Sequence, residues 1–199
     1  MQEFKSGRVH VYQRELDTSK RAWSAGIFDE ARRGWLYPLT INTKGSAAFN
    51  NGGWNKVRIE AIGNTIKTFL NGVQCANLVD DMTDKGFIAL QVHSIRDKSQ
   101  EGKTIQWKNI RIVTENLEQY RSKNQPHARQ VSYLNNTLTQ EEIRKGWRLL
   151  WDGKTSKGWK GAKSDNFPKN GIKMVDGTIH FLKHEETKDY VKSGDIVTE

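Results

Sequence analysis

Residues 66–70 and 73–78 are two β-coded runs separated only by Asn71-Gly72. A type I′ turn needs positive φ at both central residues, which Asn and Gly tolerate best, so this spacing predicts a tight β-hairpin. The surrounding chain carries the same period of two. Residues 8–15 alternate Val9 and Val11 with His10 and Tyr12, and residues 54–62 set Val57, Ile59 and Ala61 against Lys56, Arg58 and Glu60. In residues 86–94, Phe87, Ala89, Gln91 and His93 face one way and Ile88, Leu90 and Val92 the other. Residues 104–113, with Ile105, Trp107, Ile110 and Ile112, read as a further strand. Short strands with no helical period between them predict an all-β antiparallel sandwich.

The segment 29–37, DEARRGWLY, breaks this pattern. It has too many charges for a core strand and too many aromatics for an ordinary loop, so it reads as a functional loop. Residues 45–53 are small and polar and read as a plain loop. From 115 to 136 the composition turns polar around Pro126, as expected of a linker or an excursion over the surface. Thr139-Gln140-Glu141-Glu142 resembles a capping box opening one short helix that ends near Gly146. Strands then resume at 147–151, and 172–175 pairs with 178–182 across Asp176-Gly177.

Composition narrows the function classes. The 199-residue chain has a formal charge of +9, but its basic residues are scattered among 23 acidic ones, and no nucleic-acid motif accompanies them, so a nucleic-acid partner is not expected. Cys75 is the sole cysteine, which excludes an intrachain disulfide and a cysteine-based zinc site. No stretch approaches the roughly 20 apolar residues that span a bilayer, and Met1-Gln2-Glu3-Phe4-Lys5 is too polar to open a signal peptide.

Four blocks, GIFDEARRGW at 26–35, WNKVRIE at 54–60, NGVQCANLVDD at 71–81 and GFIALQVHS at 86–94, together resemble the second half of the 3-keto-disaccharide hydrolase domain, formerly a domain of unknown function. GWRLLWDGKTSKGW at 146–159, VDGTI at 175–179 and GDIVTE at 194–199 resemble the beginning of that domain. This order implies the C-terminal portion of one sandwich at 1–116, a linker at 117–136, and the N-terminal portion of a second copy at 137–199. A permuted single domain is the other arrangement that fits. If the two portions pack together, residues 147–151 pair beside 104–113, and further strands of the same parent chain are expected partners. The resemblance implies a concanavalin A-like jelly roll with a carbohydrate-binding concave sheet, a carbohydrate substrate, and a periplasmic or extracellular setting.

The implied chemistry is cleavage of a 3-keto-glycoside: removal of the C2 proton acidified by the ketone, loss of the C1 substituent, and hydration. It needs a base, an acid and an anion stabiliser. His93 can serve as base or acid, Asp29 or Glu30 can do likewise once desolvated, and Arg33 can stabilise the enolate oxygen. Trp35 and Tyr37 can stack a pyranose, with Trp54, Arg58, Glu60 and Gln91 as further substrate contacts. Each has a plainer reading: a salt-bridged loop for Asp29, Glu30, Arg32 and Arg33, a hydrogen-bonded structural histidine, or core packing for the aromatics. A conventional glycoside hydrolase would pair Asp29 or Glu30 with Glu60 across the scissile bond. A noncatalytic carbohydrate-binding module is the other alternative. No cofactor and no catalytic metal are expected; Asp80-Asp81 leaves room for a structural calcium, against a simple charge cluster at the hairpin exit.

Overall fold

The computed structural model describes residues 10–94, 98–182 and 195–199. The fold is all-β with two short helices, built from mostly antiparallel strands. A three-stranded sheet comprises β1 (Tyr12–Arg14), β2 (Ile27–Asp29) and β3 (Gly34–Tyr37), in that order. A four-stranded sheet comprises β4 (Val57–Ile62), β5 (Thr65–Leu70), β6 (Val73–Val79) and β7 (Val131–Ser132), the last parallel to β6. The two sheets form the layers of the core. Ala25, Ile27, Leu36, Tyr37 and Leu39 pack from one side against Leu70, Cys75, Ala76 and Leu78 from the other, and Thr68 Oγ1 donates to Ala25 O at 2.6 Å across the gap. Burial pushes the Cys75 thiol up to about 11, so it stays protonated inside the core.

The hairpin at 71–72 forms with both residues at positive φ (52° and 86°), and Leu70 opposes Val73. A second hairpin joins β9 (Ile172–Val175) to β10 (Thr178–Phe181) across Asp176 and Gly177, also both at positive φ. The capping box closes as expected: Glu142 N donates to Thr139 Oγ1 and Thr139 N to Glu142 Oε2, opening α2 (Gln140–Arg144). A short helix, α1 (Thr43–Ser46), runs into the start of the 45–53 stretch expected to be a plain loop; the Asn42 side chain accepts from Gly45 N and donates to the carbonyls of Gln74 and Cys75.

Several expected strands differ. Of residues 8–15, 12–14 form β1, and residues 1–9 lie outside the described residues. Residues 86–94 and 104–113 carry no strand, and their apolar side chains are exposed, Ile88 to 75%. Residues 147–151 also form none, with Trp147 67% exposed, so the expected pairing of this run beside 104–113 is not made. An alternating pattern codes for a half-buried strand, but a ladder also needs a neighbouring strand to satisfy its backbone groups, and among the described residues these runs have none. The segment 29–37 is not one loop: Asp29 ends β2, residues 30–33 turn with Ala31 at φ 61°, and 34–37 form β3.

Residues 117–128 run over the outer face of the four-stranded sheet, and 131–133 follow the edge of β6. Gln125 and Gln74 exchange two hydrogen bonds of 2.7 and 3.0 Å, Lys67 Nζ donates to Ser122 O, and Tyr133 N donates to Val79 O. The hairpin β9–β10 and the ladder of β8 (Trp159–Gly161) with β11 (Ile196–Thr198) contribute nothing to the central core cluster.

Candidate functional site

Alternation sorts the β1–β3 sheet into two faces. Tyr12 opposes Asp29 on the face toward the core, whereas Gln13 opposes Phe28, and Phe28 opposes Trp35, on the outward face. The expected site residues are therefore divided.

On the core side, the fully buried Asp29 accepts from Arg32 Nε and Arg33 Nε, each at 2.6 Å, through its two oxygens. Arg33 reaches on to Asp80 Oδ2 at 2.7 Å, while Tyr12 Oη and Met82 N donate to Asp80 Oδ1. Arg32 also donates to Thr83 Oγ1 and stacks over the Tyr12 ring. Burial works against ionisation of Asp80, but the bonds from Arg33 and Tyr12 outweigh it and hold its carboxyl below the usual range. Burial likewise pushes the Tyr12 phenol up to about 12, reinforced by its bond to Asp80. The oxygens of Asp80, one of the pair considered for calcium, are thus already hydrogen bonded. Among the described residues no group of three or more His, Cys, Asp or Glu side chains could hold a metal ion.

The outward face is aromatic with a polar rim. Trp35 meets Trp23 edge to face, with ring centroids 4.7 Å apart, and Phe28 at 5.2 Å. The Arg21 guanidinium lies 4.8 Å from the Trp23 ring and 5.0 Å from the Trp35 ring. Gln13 Nε2 donates to Glu15 Oε2 at 3.2 Å on this same face. The Glu15 backbone extends the β1 ladder by bonding Gly26 and Ala25. Gly26 is where the Trp35 ring comes closest to the sheet: a Cβ there would meet Trp35 Cζ3 at 3.1 Å and two backbone carbonyls at 3.0 and 3.1 Å.

The turn carrying Arg21 and Trp23 is braced by Asp17. Its carboxylate accepts from Ser19 N, Arg21 Nε and Trp23 N, and Asp17 N and O both bond the Ser24 hydroxyl. Burial alone would raise this carboxyl, but the bonds from Ser19 and Arg21 overcome it and hold it at about 2. Ala22 and Ala25, flanking Trp23 and Ser24, sit at φ 55° and 76°. These conformations disfavour a side chain bearing Cβ, so the brace holds a strained turn in place.

Glu15 differs from the other acids. Burial raises its pKa, and the nearby charge of Arg21 only partly offsets this, with Asp17, His93 and Arg14 also within electrostatic reach. His93 itself sits on the exposed 86–94 segment, as does Gln91.

The remaining candidates lie elsewhere. Glu30 is on the 30–33 turn, next to the core-side network. Tyr37 is not a stacking surface: it is fully buried in the core and its hydroxyl donates to Arg129 O at 2.8 Å. Arg58 and Glu60 pair with each other on the far face of the four-stranded sheet, where Glu60 accepts from Ser122 N and Oγ and Arg58 donates to Tyr120 O. Arg58 there borders a hollow of about 300 Å³ with Lys56, Phe69 and Lys123. Glu60 and Asp29 therefore do not flank a common cleft, so these two do not make the paired-carboxylate geometry of a conventional glycoside hydrolase. Trp54 is 55% exposed, with Lys108 Nζ 4.0 Å from its ring centre.

Sequence reasoning missed Gln13, Glu15, Arg21, Trp23 and Phe28. The signal was present in the alternation of 13 and 15 along β1, but the strand pairing that sets them beside Phe28 and Trp35 joins residues on either side of the 17–24 turn.

Residues 2–113 match the model of a family described as the 3-keto-alpha-glucoside-1,2-lyase-like domain. The blocks at 146–199 that resemble the opening of such a domain lie outside this match. No curated protein matches the chain.

Proposed function

The chain belongs to the 3-keto-alpha-glucoside-1,2-lyase-like family, and from that premise we propose that it is a carbohydrate-active domain cleaving 3-keto-glycosides on the outward face of β1–β3. What supports the reading is the Trp23–Trp35–Phe28 cluster, rimmed by Arg21, Gln13 and Glu15. An aromatic ring offers the apolar face a pyranose stacks upon, and the rim offers the donors and acceptors its hydroxyls need. Trp35 is the central ring of this surface, and His93 lies within electrostatic reach of Glu15 on its rim. In this reading Asp29, with Arg32, Arg33 and Asp80, works beneath the sheet: both of its oxygens are taken by guanidinium groups, and it fixes the hairpin that presents Trp35.

The test is to mix the protein with a 3-keto-disaccharide, following tryptophan fluorescence for binding and released sugar for turnover. Saturable binding with product release supports the reading. Trp35→Ala should weaken binding about tenfold, the equivalent of roughly 1.4 kcal/mol of lost stacking. Saturable binding with no product would leave a binding module in its place, and no binding at all would end the proposal.

A further inference from the structure

We propose that the carboxylate of Glu15 is the base that takes the C2 proton from a 3-keto-glycoside stacked on Trp35. The inference rests on the site proposed above and adds to it a residue that neither the motif blocks nor the family match singles out.

Three observations carry it. First, Glu15 lies on the outward face: it follows Gln13 by two residues along an extended ladder, and the Gln13 side chain donates to it from that face. Second, its backbone pairs with Gly26, the position over which the Trp35 ring passes, so the carboxylate and the proposed stacking surface share one patch. Third, it is the acid of this patch without a direct ion pair among the described residues. Asp17 is committed to Arg21 at 2.7 Å, and on the other face Asp29 and Asp80 are committed to Arg32 and Arg33. The titratable groups facing Glu15 are Arg21, Asp17, His93 and Arg14. Half-buried and held by one neutral amide, it keeps lone pairs for an incoming proton. Burial also raises its proton affinity toward the range useful to a general base.

The step balances within the substrate. Glu15 takes the C2 proton, and the C–H electron pair forms the C2=C3 bond of an enolate with the charge on the C3 oxygen. As that carbonyl re-forms, C1=C2 forms and the bond from C1 to the leaving oxygen breaks. The leaving oxygen takes the proton back from the Glu15 carboxyl, giving an alcohol and a 1,2-unsaturated 3-keto sugar. Addition of water across C1=C2 then yields the free 3-keto sugar. Arg21, stacked on Trp35, supplies positive charge at the patch where the enolate develops.

Proton abstraction can be read separately from cleavage by using a 3-keto sugar that has no leaving group at C1 and measuring deuterium uptake at C2 in D2O. Wild-type protein should exchange this position. E15Q should slow the exchange by about 10²- to 10⁴-fold while binding stays within about threefold, and E15D should recover part of the rate. The wild-type exchange rate should rise with pH through a pKa above the ordinary glutamate value of about 4.3, because the base acts only when ionised, and E15Q should lose that limb. The pH profile of the wild type keeps the test independent of how well E15Q folds. Exchange in E15Q equal to wild type, wild-type binding with no exchange, or a wild-type rate without that pH limb would overturn the assignment of Glu15. Failure of wild-type protein to bind the keto sugar would instead overturn the site itself.

Discussion

Asp80 joins three kinds of partner: a guanidinium, a phenol and a backbone amide converge on one buried carboxylate. Removing one member of a buried charged network leaves the others unpaired, which costs more than the pair contributes on its own. Asp80→Ala should therefore destabilise the protein by about 3 kcal/mol, somewhat relieved because Arg33 keeps Asp29. Thermal unfolding should show Tm falling by about 5–10 °C. Asp17 supplies a pH-dependent contribution. Its folded pKa of about 2 lies below the ordinary 3.8, so its stabilisation is present above pH ~4 and is lost as pH falls toward ~2. The shift corresponds to about 2 kcal/mol. Asp17→Asn should remove most of this dependence, measured as urea unfolding of both proteins at pH 6 and pH 3, with the difference between them shrinking at the lower pH. Of the residues singled out from sequence, Trp35 lies half-buried on the outward face beside Trp23 and Phe28, whereas Tyr37 is taken into the core. Chemical type alone could not separate them: residues 35 and 37 flank the bulge between Ile27 and Phe28, and the layer packed against β3 determines which side is covered.

The elements most legible in the sequence are those whose geometry is set within a few residues. Both two-residue hairpins and the capping box depend on local φ and local hydrogen bonds, and all three form where expected. Gly72 at φ 86° makes the first of these testable: Gly72→Ala should cost about 1 kcal/mol, read from chemical denaturation, because alanine resists the left-handed region. The runs at 86–94 and 104–113 have an equally clear period of two and form no strand, since their ladders depend on a neighbour that periodicity cannot supply. The charged and aromatic segment 29–37 shows the reverse case. It folds as strand because Asp29 neutralises Arg32 and Arg33 on one side while Trp35 finds Phe28 and Trp23 on the other.

At the scale of the whole molecule, the two-layer core covers only part of the four-stranded sheet. Val57 and Ile59 of β4 oppose Leu70 and Thr68, so they share the core-facing side, yet about half of each side chain is exposed. Stability should follow this distribution. Amide hydrogens of β5 and β6, inside the packed layers, should exchange slowly, while those of 86–94 and 104–113 should exchange within seconds to minutes, as measured by hydrogen-exchange mass spectrometry. Protection of 86–94 equal to that of β6 would contradict the described arrangement. The sequence alone determined the all-β class, the two tight turns, the capped helix and the family resemblance, because each depends on local backbone preference or on ordered blocks of residues. Tertiary structure alone decided which face of β1–β3 points outward, and therefore that Asp29 and Arg33 brace the sheet while Gln13, Glu15, Trp23 and Trp35 share a surface. The physical reason is that alternation assigns residues to two faces without saying which one the second layer will cover.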